Sequence, residues 1–65
     1  MGARTKERRE RIIALAKQDG FVSVVALSEI FRVSEVTIRS DLDVLESHDL
    51  IVRTHGGAYC NEKRR

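Results

Sequence analysis

Cys60, His48 and His55 are the residues of this chain whose side chains could act as soft metal ligands. Three such groups fall short of a four-ligand structural zinc site. A single cysteine closes no internal disulfide. No nucleophile, base and orienting group stand at complementary spacings. The expectation is therefore no metal, no cofactor and no enzyme. Binding chemistry remains, and arginine suits it best, because one guanidinium can bridge two anionic oxygens or two acceptors of one partner. The net charge of +2 conceals an uneven distribution. Residues 1–17 carry +4 through Arg4, Lys6, Arg8, Arg9, Arg11 and Lys17 against Glu7 and Glu10, residues 18–54 carry −4, and residues 55–65 return +2. Basic ends around an acidic middle can touch an anionic polymer at the edges, or they can be a solvated helix face and a tail.

Sixty-five residues, 42% hydrophobic and 34% charged with no proline, make one small domain. A chain of this size buries only about 60% of its unfolded surface. Its working groups must then lie on an outer face. No apolar run approaches the roughly 20 residues that span a bilayer, and the N-terminus lacks a hydrophobic signal core. A cytoplasmic chain with no membrane partner is expected.

The periodicity supplies the elements. Ile12, Ile13, Leu15 and Ala16 share one side of a helix running from about Thr5, its expected cap, to Gln18, with Gly20 as its left-handed stop. A repeat follows: V-S-V-V-A-L at 22–27 and V-S-E-V-T-I at 33–38. Ser23 and Ser34 are good N-caps, and the valine before each stands five positions from Leu27 or Ile38, the spacing of a hydrophobic staple. Two helix starts eleven residues apart force the second helix to end by about Phe31. Leu27, Ile30 and Phe31 are its expected buried stripe. The third helix, Glu35 to about Ser47, turns Ile38, Leu42 and Leu45 inward and Val36 and Ser40 outward, with Thr37 and Arg39 on the shoulders.

Residues 50–54 are mostly β-branched or apolar, His55-Gly56-Gly57 is turn chemistry, and Ala58 to Cys60 can return as a partner strand. An isolated hairpin is marginal in water. It should lean on the helices, with Phe21 and Val22 as a third short strand. The fold class is mainly α with a small β-hairpin, a winged helix-turn-helix of three helices plus a wing. Its expected limits are a flexible N-terminus at 1–5, the domain at 6–60 and a basic tail at 61–65.

K-E-R-R-E-R-I-I-A-L-A from residue 6, S-E-V-T-I-R-S-D-L-D-V-L-E at 34–46 and V-R-T-H-G-G-A at 52–58 together resemble the DNA-binding domain of the DeoR family of bacterial repressors. The resemblance covers about residues 6–60. It implies a double-stranded DNA operator as partner, control of carbohydrate or nucleoside catabolic genes, a homo-oligomer reading paired half-sites, and release by a sugar-phosphate effector bound to a C-terminal sensor domain. No such sensor fits in this chain, so the chain is the binding half of a longer protein or the resemblance extends to binding alone. Many relatives carry a second arginine where this chain has Ser40, so base preference at that step should differ.

The shapes of helix and duplex point to the same surfaces. An α-helix fits the major groove of B-DNA, and its N-terminal amides favour phosphate oxygens. The third helix is the candidate reader. Ser34 caps it and can also stand near phosphate. Glu35 suits the helix dipole or can accept from a cytosine amino group. Val36, Thr37 and Ser40 belong to the same outer surface. Thr37 offers a hydroxyl to phosphate or a methyl to thymine, or it is an ordinary first-turn threonine. Arg39 can reach phosphate or guanine, or pair within the helix with Asp43 or Glu35. Asp41, off the inner stripe, should pair with a basic residue of the first helix. On the wing, Arg53 is expected on phosphate and the His55, Gly56, Gly57 tip over the adjacent minor groove or backbone; a plain surface hairpin is the competing reading. Arg8, Arg9 and Arg32 are possible phosphate contacts. Arg32 and Asp49 stand where helices often end in glycine. His48 fits a helix end. The alternative function is a protein-protein interaction module of winged-helix fold that binds no DNA.

Overall fold

The computed structural model describes residues 2–61, with side chains from Arg4 onward. Its element order is α1 (Gly2–Asp19), β1 (Phe21–Ser23), α2 (Val24–Phe31), α3 (Glu35–Ser47), β2 (Ile51–Thr54) and β3 (Gly57–Cys60). These are the three helices and wing of the expected fold class. Of the basic tail expected at 61–65, only Asn61 lies within the described residues.

Both serine caps form. Ser23 Oγ accepts from the Ala26 N–H and Ser34 Oγ from the Thr37 N–H, so each helix begins where an orphan amide gains a partner. Gly20 stops α1 at φ 86°, and its N–H donates to the Ala16 carbonyl. The start of α1 differs from expectation. It begins at Gly2, which places Thr5 inside the helix rather than at its cap and takes in most of the segment expected to be flexible. Arg4 and Lys6 propagate a helix as readily as they decorate a tail.

The core joins Ile12 and Ala16 of α1, Val24 and Leu27 of α2, Ile38, Leu42 and Leu45 of α3, and Val22, Ile51 and Ala58 of the sheet. Ile30 is a correction. It is 56% exposed, because Val24, Leu27 and the half-buried Phe31 form the inward i, i+3, i+7 line and leave Ile30 on the flank. The sheet order is β1-β3-β2, wholly antiparallel. Val22 pairs with Ala58 and Arg53 with Ala58, while Phe21, Tyr59 and Val52 form a cross-strand row on the outer face. The Phe21 and Tyr59 rings pack with centroids 4.8 Å apart.

Arg32 and Asp49 adopt φ of 57° and 62°, the left-handed helix ends expected of them. Such a conformation costs a non-glycine residue about 1 kcal/mol or more, somewhat less for Asp. Asp49→Gly should therefore stabilise the domain by about 0.5 kcal/mol, after allowing for glycine's freer unfolded chain. For a domain this small that raises Tm by roughly 2–4 °C in a thermal melt. An unchanged or lower Tm would show that the Asp49 side chain contributes to this turn as much as its strain costs.

Candidate nucleic-acid interface

The second helix of the helix-turn-helix, α3, shows its outer side to solvent along Val36, Arg39, Ser40, Asp43 and Ser47. Val36 is 71% exposed, a branched apolar group standing free on an otherwise polar stripe. Ser34 lies at the head of this surface. Its hydroxyl donates to Thr37 Oγ1 at 3.0 Å while accepting the capping N–H, which fixes the half-buried Thr37 side chain beside the helix N-terminus. Arg39 donates to Glu35 at 3.1 Å, one helical turn back, so of the two intrahelical partners open to it the structure selects Glu35.

Asp41 faces the other way. It is 1% exposed and gathers two arginines of α1. Arg8 Nε donates to Oδ2 at 2.5 Å and its NH2 nitrogen to Oδ1 at 3.1 Å, while Arg9 Nε donates to Oδ1 at 2.9 Å. The hydrogen bond to Asp41 pushes the Arg8 pKa above the ordinary arginine range; burial opposes it and the charge of Asp41 adds to it. The expected pairing of Asp41 with the first helix is thus present. Arg8 and Arg9, read above as possible phosphate contacts, are both engaged with Asp41, and their side chains are only 15% and 29% exposed. Other cations of that side lie nearby. Arg4, Arg11 and Arg32 line a cleft with Arg8, Glu7, Phe31 and Val33, just ahead of the α3 cap, and the Arg11 guanidinium sits 5.7 Å from the centre of the Phe31 ring.

The wing differs more from expectation. Its turn is two residues, His55 and Gly56, with Gly56 at φ 88°; both are exposed. Gly57 is not part of the tip. It opens β3, is buried, and lies directly under the backbone of β1. The Gly56 carbonyl accepts from the Val24 N–H at 2.9 Å, which sews the tip to the start of α2. Arg53 points inward. Its guanidinium pairs with Asp43 of α3 and reaches the Arg39 carbonyl at 3.5 Å, while its backbone N–H donates to the Glu46 carboxylate at 3.0 Å. Side chains alternate along a strand, so a buried Ile51 places Arg53 on the same inner face. That signal is present in the sequence, and it argues against an outward Arg53. Glu46 is the residue that sequence reasoning misses, and Asp43, weighed there as a partner of Arg39, pairs with Arg53 instead; it lies three and four positions beyond Ser40 and Arg39, on the same stripe. Among the described residues no cluster of His, Cys, Asp and Glu is placed to hold a metal, and no helix is long and apolar enough to cross a membrane.

Two short helices joined by a tight turn, a capped and exposed second helix and a hairpin packed beside it define a winged helix-turn-helix domain of the kind that binds double-stranded DNA. The model of the DeoR-like helix-turn-helix domain matches residues 8–64, and the chain belongs to that family. It is 52% identical over 54 residues to a putative aga operon transcriptional repressor of Escherichia coli O157:H7, covering 83% of this chain and 20% of that protein. It is 48% identical over 52 residues to a putative galactitol utilization operon repressor of Escherichia coli K12, covering 80% and 46%. With the lactose phosphotransferase system repressor of Lactococcus lactis it shares 42% identity over 53 residues, covering 82% and 21%. The chain thus spans a fifth to just under half the length of these relatives. No solved structure matches it.

Proposed function

We propose that the chain is the operator-reading part of a transcriptional regulator, a repressor of carbohydrate catabolic genes, acting by binding and carrying out no reaction. α3 lies in the major groove with Ser34, Glu35, Val36, Thr37, Arg39 and Ser40 toward the duplex, and His55 and Gly56 lie alongside on the neighbouring backbone or minor groove. The observation that carries this reading is the outer side of α3, where Val36 stands 71% exposed between the capped N-terminus and Arg39. A valine there suits the thymine methyl, and Ser40 offers a short hydroxyl to a base edge. Arg4, Arg11 and Arg32 supply positive charge beside the same end of the helix. The names of the relatives support the gene class, and the family resemblance supports a longer protein in the cytoplasm that forms a homo-oligomer and releases DNA when a sugar-phosphate binds its C-terminal domain.

Selection of bound sites from random duplexes, followed by a salt titration on a selected site, tests the proposal. Neutralising four to six phosphates gives log affinity against log salt a slope of about −4 to −5, near −0.9 per phosphate. Arg39→Ala should weaken binding to all sequences and flatten the slope by about 0.9, since breaking its exposed pair with Glu35 costs the cation little. A protein-docking module would enrich no site and show no slope.

A further inference from the structure

We infer that Arg53 is a positioning residue: through Asp43 it locks the wing onto α3, so that reading helix and wing meet a duplex as one rigid body. The inference rests on the DNA-binding reading above and assigns Arg53 a role other than phosphate contact. Three contacts carry it, all from one residue of β2 to one helix. The guanidinium pairs with Asp43, its NH1 nitrogen lies 3.5 Å from the Arg39 carbonyl oxygen, and the Arg53 N–H meets the Glu46 carboxylate at 3.0 Å. The side chain is 23% exposed, and its Nε is buried without a partner. A guanidinium held in this way on the inner face of a strand presents little of itself to a neighbouring duplex.

The arrangement also gives Asp43 a reason to stand on a surface meant for a polyanion. A bare carboxylate there would repel phosphate; paired with Arg53 it contributes no net charge. The opposite edge of the wing is already fixed by β1 and by the bond from Val24 to the Gly56 carbonyl. The Arg53 contacts fix the edge that faces α3. A preorganised wing need not be ordered at the moment of binding, which is how such a lock raises affinity without touching the ligand.

The test is a double-variant cycle on the 65-residue chain, read by amide hydrogen exchange without DNA and by titration of a selected duplex. Arg53→Gln and Asp43→Asn should each accelerate exchange of amides 53–58 by about three- to fivefold, the size one partly exposed pair supplies. The double variant should be no faster than either single one. Arg53→Gln should weaken duplex binding while leaving its salt slope unchanged. Additive effects on exchange, or no effect, overturn the lock. So does a slope flattened by about 0.9 in Arg53→Gln, which marks a phosphate ligand. If no duplex binds the unaltered chain, the DNA-binding reading falls while the exchange cycle still decides the lock.

Discussion

Asp41→Ala should cost the domain about 2–3 kcal/mol in a urea denaturation, a large part of the stability expected for a chain of this length. Removing one side of a buried ion pair typically costs about 3–5 kcal/mol, because the charge left behind has lost both its partner and its water. Here two charges are left. Arg8 and Arg9 are adjacent in sequence, both donate to the same carboxylate, and without it they face each other across the space it filled. The loss falls below the general range because both side chains retain a path to solvent, and water screens what the carboxylate did. Asp41→Asn should fall between Asp41→Ala and the unaltered chain. It keeps the shape and one acceptor, but turns an amide N–H toward a guanidinium.

A companion variant separates charge from packing. Replacing all three residues by apolar ones of similar volume, Arg8→Met, Arg9→Met and Asp41→Leu, should restore most of the stability that Asp41→Ala loses, since buried ion clusters are often no better than well-packed hydrophobic groups. If Asp41→Ala lies within about 0.5 kcal/mol of the unaltered chain, the size of an ordinary surface substitution, the cluster contributes little and α3 is held to α1 by Ile38, Leu42 and Leu45 alone. A triple variant less stable than Asp41→Ala would mean that the charges themselves, rather than the volume they fill, set the seat of α3.

The features legible in the sequence are those governed by neighbours along the chain. Ser23 and Ser34 announce helix starts because a hydroxyl three residues before a free amide is a local device. Gly20 announces the end of α1 for the same reason, and the eleven residues between the two serines set the end of α2 near Phe31. The pairing of Asp41 with the first helix is also accessible, because a charge just off a buried stripe needs a partner and only one basic segment lies near. What escapes depends on tertiary position. Hydrophobicity alone puts Ile30 inside, although Val24 already takes the inward place on an eight-residue helix. Residue type alone turns Arg53 outward, against the alternation that Ile51 imposes. Arg8 and Arg9 look like free cations because nothing local says that one carboxylate of α3 takes both. The two glycines of the wing look like one feature, and the structure separates them.

The two glycines should therefore respond differently to the same substitution. Gly56→Ala should cost about 1–2 kcal/mol, the strain of holding an alanine at a φ of 88° in otherwise open space. Gly57→Ala should cost about 3 kcal/mol, for an unrelated reason. Its φ is not left-handed, but a methyl there would lie far inside the contact distance of the Val22 carbonyl oxygen and 2.6 Å from Cζ of the Phe21 ring. A ring can swing away; a strand backbone cannot without giving up its pairing. β1 would have to part from β3, releasing the Phe21 to Tyr59, Val22 to Ala58 and Ser23 to Gly57 register and, one residue on, the bond from Val24 to the Gly56 carbonyl. Amide chemical shifts should therefore move at Phe21 to Val24 in Gly57→Ala, whereas in Gly56→Ala they should move only around the turn. Adding Phe21→Ala to Gly57→Ala removes the ring and leaves the carbonyl, so it should recover no stability. Recovery by that second change would place the obstacle in the Phe21 side chain, and the β1 backbone would no longer be what demands a glycine at position 57.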